Sequence, residues 1–122
     1  MRVEIAEHPD LPETLQVNVQ GAETFDNTVA VWRRIVEAVS THGSVRRLLL
    51  MDGLRGEELE ESQWLELVLA FKGQGLDTMR IAHVRVWGLR EVEYCELYAR
   101  DAGVDARVFG DEASATEWLR QG

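Results

Sequence analysis

Few residues in this chain have the types and spacing that chemistry needs. Asp52, Arg55 and Glu57 follow the apolar run Leu48-Leu49-Leu50-Met51. A polar group at the carboxyl end of a buried strand is where open α/β sheets bind ligands. Asp52 and Arg55 are therefore candidate contacts for a ligand or partner. The competing reading is local: an aspartate in a turn, bonding its own backbone and flanked by solvated charges. His8, His42 and His83 are dispersed, and none stands at zinc-ligand spacing from a second histidine or a carboxylate. Cys95 is the single cysteine, so neither an internal disulfide nor a thiolate cluster can form. It falls at an apolar helical spacing and reads as a small buried hydrophobe rather than a nucleophile. Ser40, Ser44, Ser62 and Ser114 lack a nucleophile-elbow context. Gly73-Gln74-Gly75 follows a helical pattern instead of preceding one, which is the wrong order for a phosphate loop. These residue types predict no catalytic constellation, no metal and no cofactor.

The aromatic residues point to contact rather than catalysis. Three of the four tryptophans, Trp32, Trp64 and Trp118, lie on apolar helical stripes and read as core. Trp87 ends an alternating segment in which Ile81, His83 and Arg85 share its side. Phe109 and Arg107 are expected on the neighbouring strand. Aromatic residues with arginine are frequent interface anchors. His83, Arg85, Trp87 and Phe109 are thus candidate contact residues on an open sheet face. The alternative is that Trp87 packs under the neighbouring helix starts.

Length and charge bound the remaining choices. A chain of 122 residues fits one domain, 1–122, with a single core. The formal charge of −9 argues against general nucleic-acid binding and against docking on anionic lipid. No apolar run approaches the roughly 18 residues of a membrane span. The start, Met1-Arg2-Val3-Glu4-Ile5, has no long apolar segment of the signal-peptide kind. A cytoplasmic protein is the expectation.

The elements that must position these residues follow from periodicity. Val3 and Ile5 alternate with polar neighbours, and so do Leu15, Val17 and Val19, with His8-Pro9-Asp10-Leu11-Pro12 as the turn between them. This pattern predicts an antiparallel hairpin, closed by Gly21. Thr24 or Asp26 caps a helix carrying Val29, Trp32, Ile35, Val36 and Val39. The strand through Leu48–Met51 is central, because its apolar run suits burial on both faces. A second helix carries Trp64, Leu67, Val68 and Phe71, widened by Leu65 and Leu69. Further strands and helices alternate to the end, with Asp111 capping the last. Strands are expected at about residues 2–7, 14–20, 45–51, 79–87 and 104–109. The class is α/β: a five-stranded mixed sheet, with an antiparallel N-terminal hairpin followed by parallel β-α-β units. Its four helices lie mainly on one face.

Three segments carry a resemblance: Arg47-Leu48-Leu49-Leu50-Met51-Asp52, Arg80-Ile81-Ala82-His83-Val84 followed by Trp87, and Val108-Phe109-Gly110-Asp111-Glu112-Ala113 with Trp118-Leu119. In these segments and in element order the chain is similar to SpoIIAA-like proteins. These are bacterial relatives of the STAS anti-sigma-factor antagonists and share a fold class with lipid-carrying SEC14-like domains. The resemblance covers most of the chain from about Gly21, and members of this branch mostly lack an assigned function. It implies near-sequential strand order with helices wound to one side. Regulatory STAS domains carry a phosphorylatable Ser or Thr where the central strand meets the next helix. Here Asp52-Gly53-Leu54-Arg55-Gly56 has no hydroxyl, so a phosphate switch is not expected there. The implied function is a non-enzymatic interaction or regulatory module that binds a protein partner or itself as a homodimer. The alternative is a carrier of a small apolar ligand, in a pocket lined by Trp64, Leu65, Leu69 and Phe71.

Overall fold

The computed structural model describes residues 1–85 and 89–121, with 89–92 described by their backbone alone. The elements are β1 (Arg2–Glu7), β2 (Thr14–Glu23), α1 (Phe25–Thr41), β3 (Arg47–Gly56), α2 (Glu61–Phe71), β4 (Arg80–Val84), α3 (Leu89–Asp101), β5 (Asp105–Phe109) and α4 (Glu112–Gln121). They form a five-stranded sheet in the order β1-β2-β3-β4-β5. β1 and β2 pair antiparallel, and the remaining neighbours pair parallel. The α/β class and the mixed sheet expected from the sequence are what the chain forms.

Topology fixes the layers. The parallel strands advance in one direction across the sheet, so right-handed crossovers place α1, α2 and α3 on the same face. Val31, Trp32 and Ile35 of α1, Trp64 and Leu67 of α2, and Cys95 and Ala99 of α3 share a core with Leu48, Leu50 and Ile81. α4 follows the last strand and is not a crossover, which frees it to pack on the other side. There Ala115, Trp118 and Leu119 meet Leu49, Ala82, Val84 and Leu11. β3 is the middle strand and is covered on both faces, so Leu48, Leu49 and Leu50 are at most 1% exposed. Beyond α4 the second face is open, and Asn18 and Gln20 of β2 lie there in solvent.

Two strands run further than their sequence pattern predicts. Gly21 does not end β2, and Asp52-Gly53-Leu54-Arg55-Gly56 is strand rather than turn. The two extensions pair with each other, Val19 with Asp52 through Glu23 with Gly56. Gly21 and Gly56 hold φ of 144° and 142°, backbone that glycine adopts without steric cost. Asp52 does bond its own backbone, as a turn aspartate would: Leu54 N–H donates to its Oδ1 at 3.1 Å.

The expected open face needs a larger correction. Ile81 and His83 share the parity of the helix-covered core, and their partners on β5 are Ala106 and Val108. Arg107 and Phe109 pair with Ala82 and Val84 and so belong to the opposite face. Phe109 packs there on Trp118, with ring centroids 5.5 Å apart. His83 and Arg85 are buried beneath helices, not displayed. Trp87 lies outside the described residues. Leu65 and Leu69 are also displaced from their expected place: they are 40% and 58% exposed, and it is Leu67, Val68 and Phe71 of α2 that line the cavity beneath the helix.

Candidate functional site: a buried charge cluster at the strand ends

Every second residue of a strand faces the same side. Along β2 that parity runs Leu15, Val17, Val19, Gly21, Glu23, and along β3 it runs Leu48, Leu50, Asp52, Leu54. Along β4 and just past it come Ile81, His83 and Arg85. Apolar residues occupy the amino-terminal part of each series and charged ones the carboxyl end. The result is a cluster of Glu23, Asp52, His83 and Arg85 under the helical layer, at the strand ends where open α/β sheets hold their ligands.

The geometry is closed. His83 Nε2 lies 2.8 Å from Asp52 Oδ2, and Arg85 Nη1 lies 3.6 Å from the same oxygen. Arg85 reaches across β3 to form an ion pair with Glu23 Oε1, and both of those side chains are 1% exposed. Trp32 of α1 covers the histidine edge-on, at 6.3 Å between centroids and 74° between planes. Glu23 Oε2 is buried and finds no hydrogen-bond partner among the described residues.

The two carboxyls respond oppositely to one burial. For Asp52, burial opposes the charge, but the His83 hydrogen bond, the adjacent Arg85 and the Leu54 N–H outweigh it, and its pKa falls below the ordinary value. Asp52 is therefore an acceptor only, and His83 Nε2 carries the proton between them. For Glu23, burial is the larger effect. Its pKa is raised in spite of the Arg85 hydrogen bond and charge, with repulsion from Asp52 adding to the rise.

A histidine held by a carboxylate can orient a general base. In this cluster the aspartate that holds His83 Nε2 also faces Arg85 and accepts from the Leu54 N–H, and Trp32 covers the buried ring. What the arrangement does is tie β2, β3 and β4 together at their carboxyl ends. A single wrong register would strand a buried charge, which is costly. The cluster borders a narrow apolar cavity of about 60 Å³ between α2, α3 and the sheet, lined by Leu67, Phe71, Cys95, Ala99 and Val108 with His83.

The candidate residues are thus divided. Asp52, His83 and Arg85 come together, although no local pattern joins Asp52 to the other two. Arg55 has the opposite parity on β3 and is exposed away from the cluster. Phe109 is on the other face of the sheet. Glu23 was missed, because the hairpin was closed at Gly21. Its signal was present in the alternation, which continues unbroken from Leu15 to Glu23 if the glycine is counted as strand.

Compared with protein-family models and with curated proteins, the chain matches none. No described helix is long and apolar enough to cross a membrane.

Proposed function

We propose that this chain is a non-enzymatic protein-interaction module of the SpoIIAA-like kind, and that it docks through the outer surface of α2 and α3. One observation carries the reading. Five large apolar side chains are exposed among the described residues, and four of them, Leu65, Leu69, Tyr94 and Leu97, lie on these two helices. Leu65 and Leu69 are one turn apart on α2. Tyr94 stacks on Tyr98, whose hydroxyl donates to Glu61 on α2, so the two helices present one continuous surface. Contiguous exposed apolar area tends to mark an interface. The sequence resemblance supports the same class, and the docking surface moves from the sheet to the helical layer.

A carrier of a small apolar ligand is the second reading, favoured by the apolar cavity between α2, α3 and the sheet. Its volume of about 60 Å³ is small beside the several hundred Å³ of ordinary ligand sites. Native mass spectrometry of the purified chain separates the two. The interaction module is expected at the bare chain mass or at multiples of it. A co-purifying small mass that departs on denaturation would reject that reading in favour of the carrier.

A further inference from the structure

We propose that the partner at this surface is a cationic amphipathic helix of another protein, laid in the groove between α2 and α3. The inference rests on the docking reading above and adds the chemistry of the occupant. Both helices cross back between parallel neighbouring strands, so they run in the same direction. Their exposed apolar residues form two ridges, Leu65 with Leu69 on one and Tyr94 with Leu97 on the other. On a helical projection Glu61 and Leu65 lie on the flank of α2 that faces α3, and Tyr98 and Tyr94 lie on the flank of α3 that faces α2. The Tyr98–Glu61 hydrogen bond agrees with that placement. A groove between two ridges, with anchors one turn apart, matches the apolar stripe of an amphipathic helix.

Charge decides what flanks that stripe. Segments 57–72 and 89–101 hold nine acidic and three basic residues, and so carry most of the chain's net charge of −9. Glu61, Glu66, Glu93 and Asp101 are exposed around the apolar ridges. Among the described residues none of these four pairs with a cation. A second copy would bring the same acidic rim against this one, and like-charge juxtaposition opposes docking. Lys or Arg flanking an apolar stripe would instead be drawn in and held.

The test uses the full chain and three synthetic peptides: a helical Leu/Lys amphipath, its Leu/Glu counterpart, and a scrambled Leu/Lys peptide of equal charge. The Leu/Lys amphipath should bind, more weakly as salt screens the rim. Binding should drop at least tenfold for the double variant Leu65→Ser/Leu97→Ser, which circular dichroism should show folded because both residues are exposed. It should also weaken for Glu66→Gln/Glu93→Gln. Equal binding of the scrambled peptide, or undiminished binding to the leucine variant, overturns the proposal. If the Leu/Glu peptide binds better, the partner chemistry is wrong and the docking surface stands. If neither peptide binds but sedimentation shows a dimer that the leucine variant abolishes, the partner is a second copy and the proposal fails while the docking reading survives. If nothing binds and the chain stays monomeric, both fail.

Discussion

His83 Nε2 and Asp52 Oδ2 stand 2.8 Å apart across neighbouring strands, with side chains only 4% and 8% exposed. The pair holds its proton on the histidine side, and Asp52 also faces the buried guanidinium of Arg85. Breaking a buried pair leaves its partners uncompensated and typically costs about 3–5 kcal/mol. Asp52→Asn should therefore lower the free energy of unfolding in urea by roughly that amount. A loss below about 1 kcal/mol would mean that Arg85 and His83 are satisfied without it.

Glu23 should behave differently, although its side chain is even less exposed than that of Asp52. Its pKa is raised, so the fold prefers its protonated form, whereas that of Asp52 is lowered. The Asp52 contribution is whole above its ordinary value of 3.8 and is lost as pH falls through the lower folded value. The Glu23 contribution is whole below its ordinary value of 4.5 and is lost as pH rises through the higher folded value. Glu23→Gln keeps the shape and removes the titration. The stability of this variant relative to wild type should improve as pH rises from 4.5 towards neutrality, and at neutral pH it should cost less than Asp52→Asn. A difference that stays flat with pH in urea titrations would contradict the raised value.

Strand type and order were legible in the sequence because period-2 alternation and apolar runs are local signals. Leu15, Val17 and Val19 announce β2, and Leu48–Met51 announces a central strand. The ends of those strands were not legible. Gly21 and Gly53 look like stops, and only the pairing of Gly21 with Leu54 and of Gln20 with Gly53 across β2 and β3 shows that they are strand. Which face a helix covers is likewise a property of topology and not of one segment. The alternation of Ile81, His83 and Arg85 correctly put them on one side but could not say that α1, α2 and α3 lie over it. His83 and Arg85 are polar residues at buried positions, and their partners, Asp52 and Glu23, both lie beyond apparent strand ends. Leu65 and Leu69 misled in the opposite sense. An apolar residue beside a helical stripe reads as a wider core when it is in fact exposed.

Gly53 offers a sharp test of the extended β2–β3 pairing. A Cβ placed there would stand 2.5 Å from the Val19 carbonyl oxygen, which is backbone of the adjoining strand and cannot swing aside. Gly43, in the loop after α1, has nothing within 4 Å of the same position. Gly53→Ala should destabilise the fold by about 1–3 kcal/mol, the usual range for forced overpacking. Gly43→Ala should be close to neutral. Equal thermal midpoints for the two variants would place Gly53 in an open turn and remove the strand extension that brings Glu23 to the cluster.

Cys95 reports on the packing of α3 over that cluster. Its side chain is buried in the helical layer, and burial, with repulsion from Asp52, pushes its thiol up to about 12. Only the thiolate attacks disulfide reagents. At about pH 8 roughly one thiol in ten thousand would then be ionised, even before access is considered. Labelling of the native chain should therefore proceed only through opening of the fold, and should go to completion at once in denaturant. Asp52→Asn makes opening cheaper, so it should speed native labelling of Cys95 by at least tenfold while leaving the rate in denaturant unchanged. Native wild-type labelling as fast as that of an unfolded thiol would mean that α3 does not pack Cys95 against the sheet. Fast labelling in wild type together with no response to Asp52→Asn would separate the helix from the cluster altogether, and the charges at the strand ends would then hold the sheet alone.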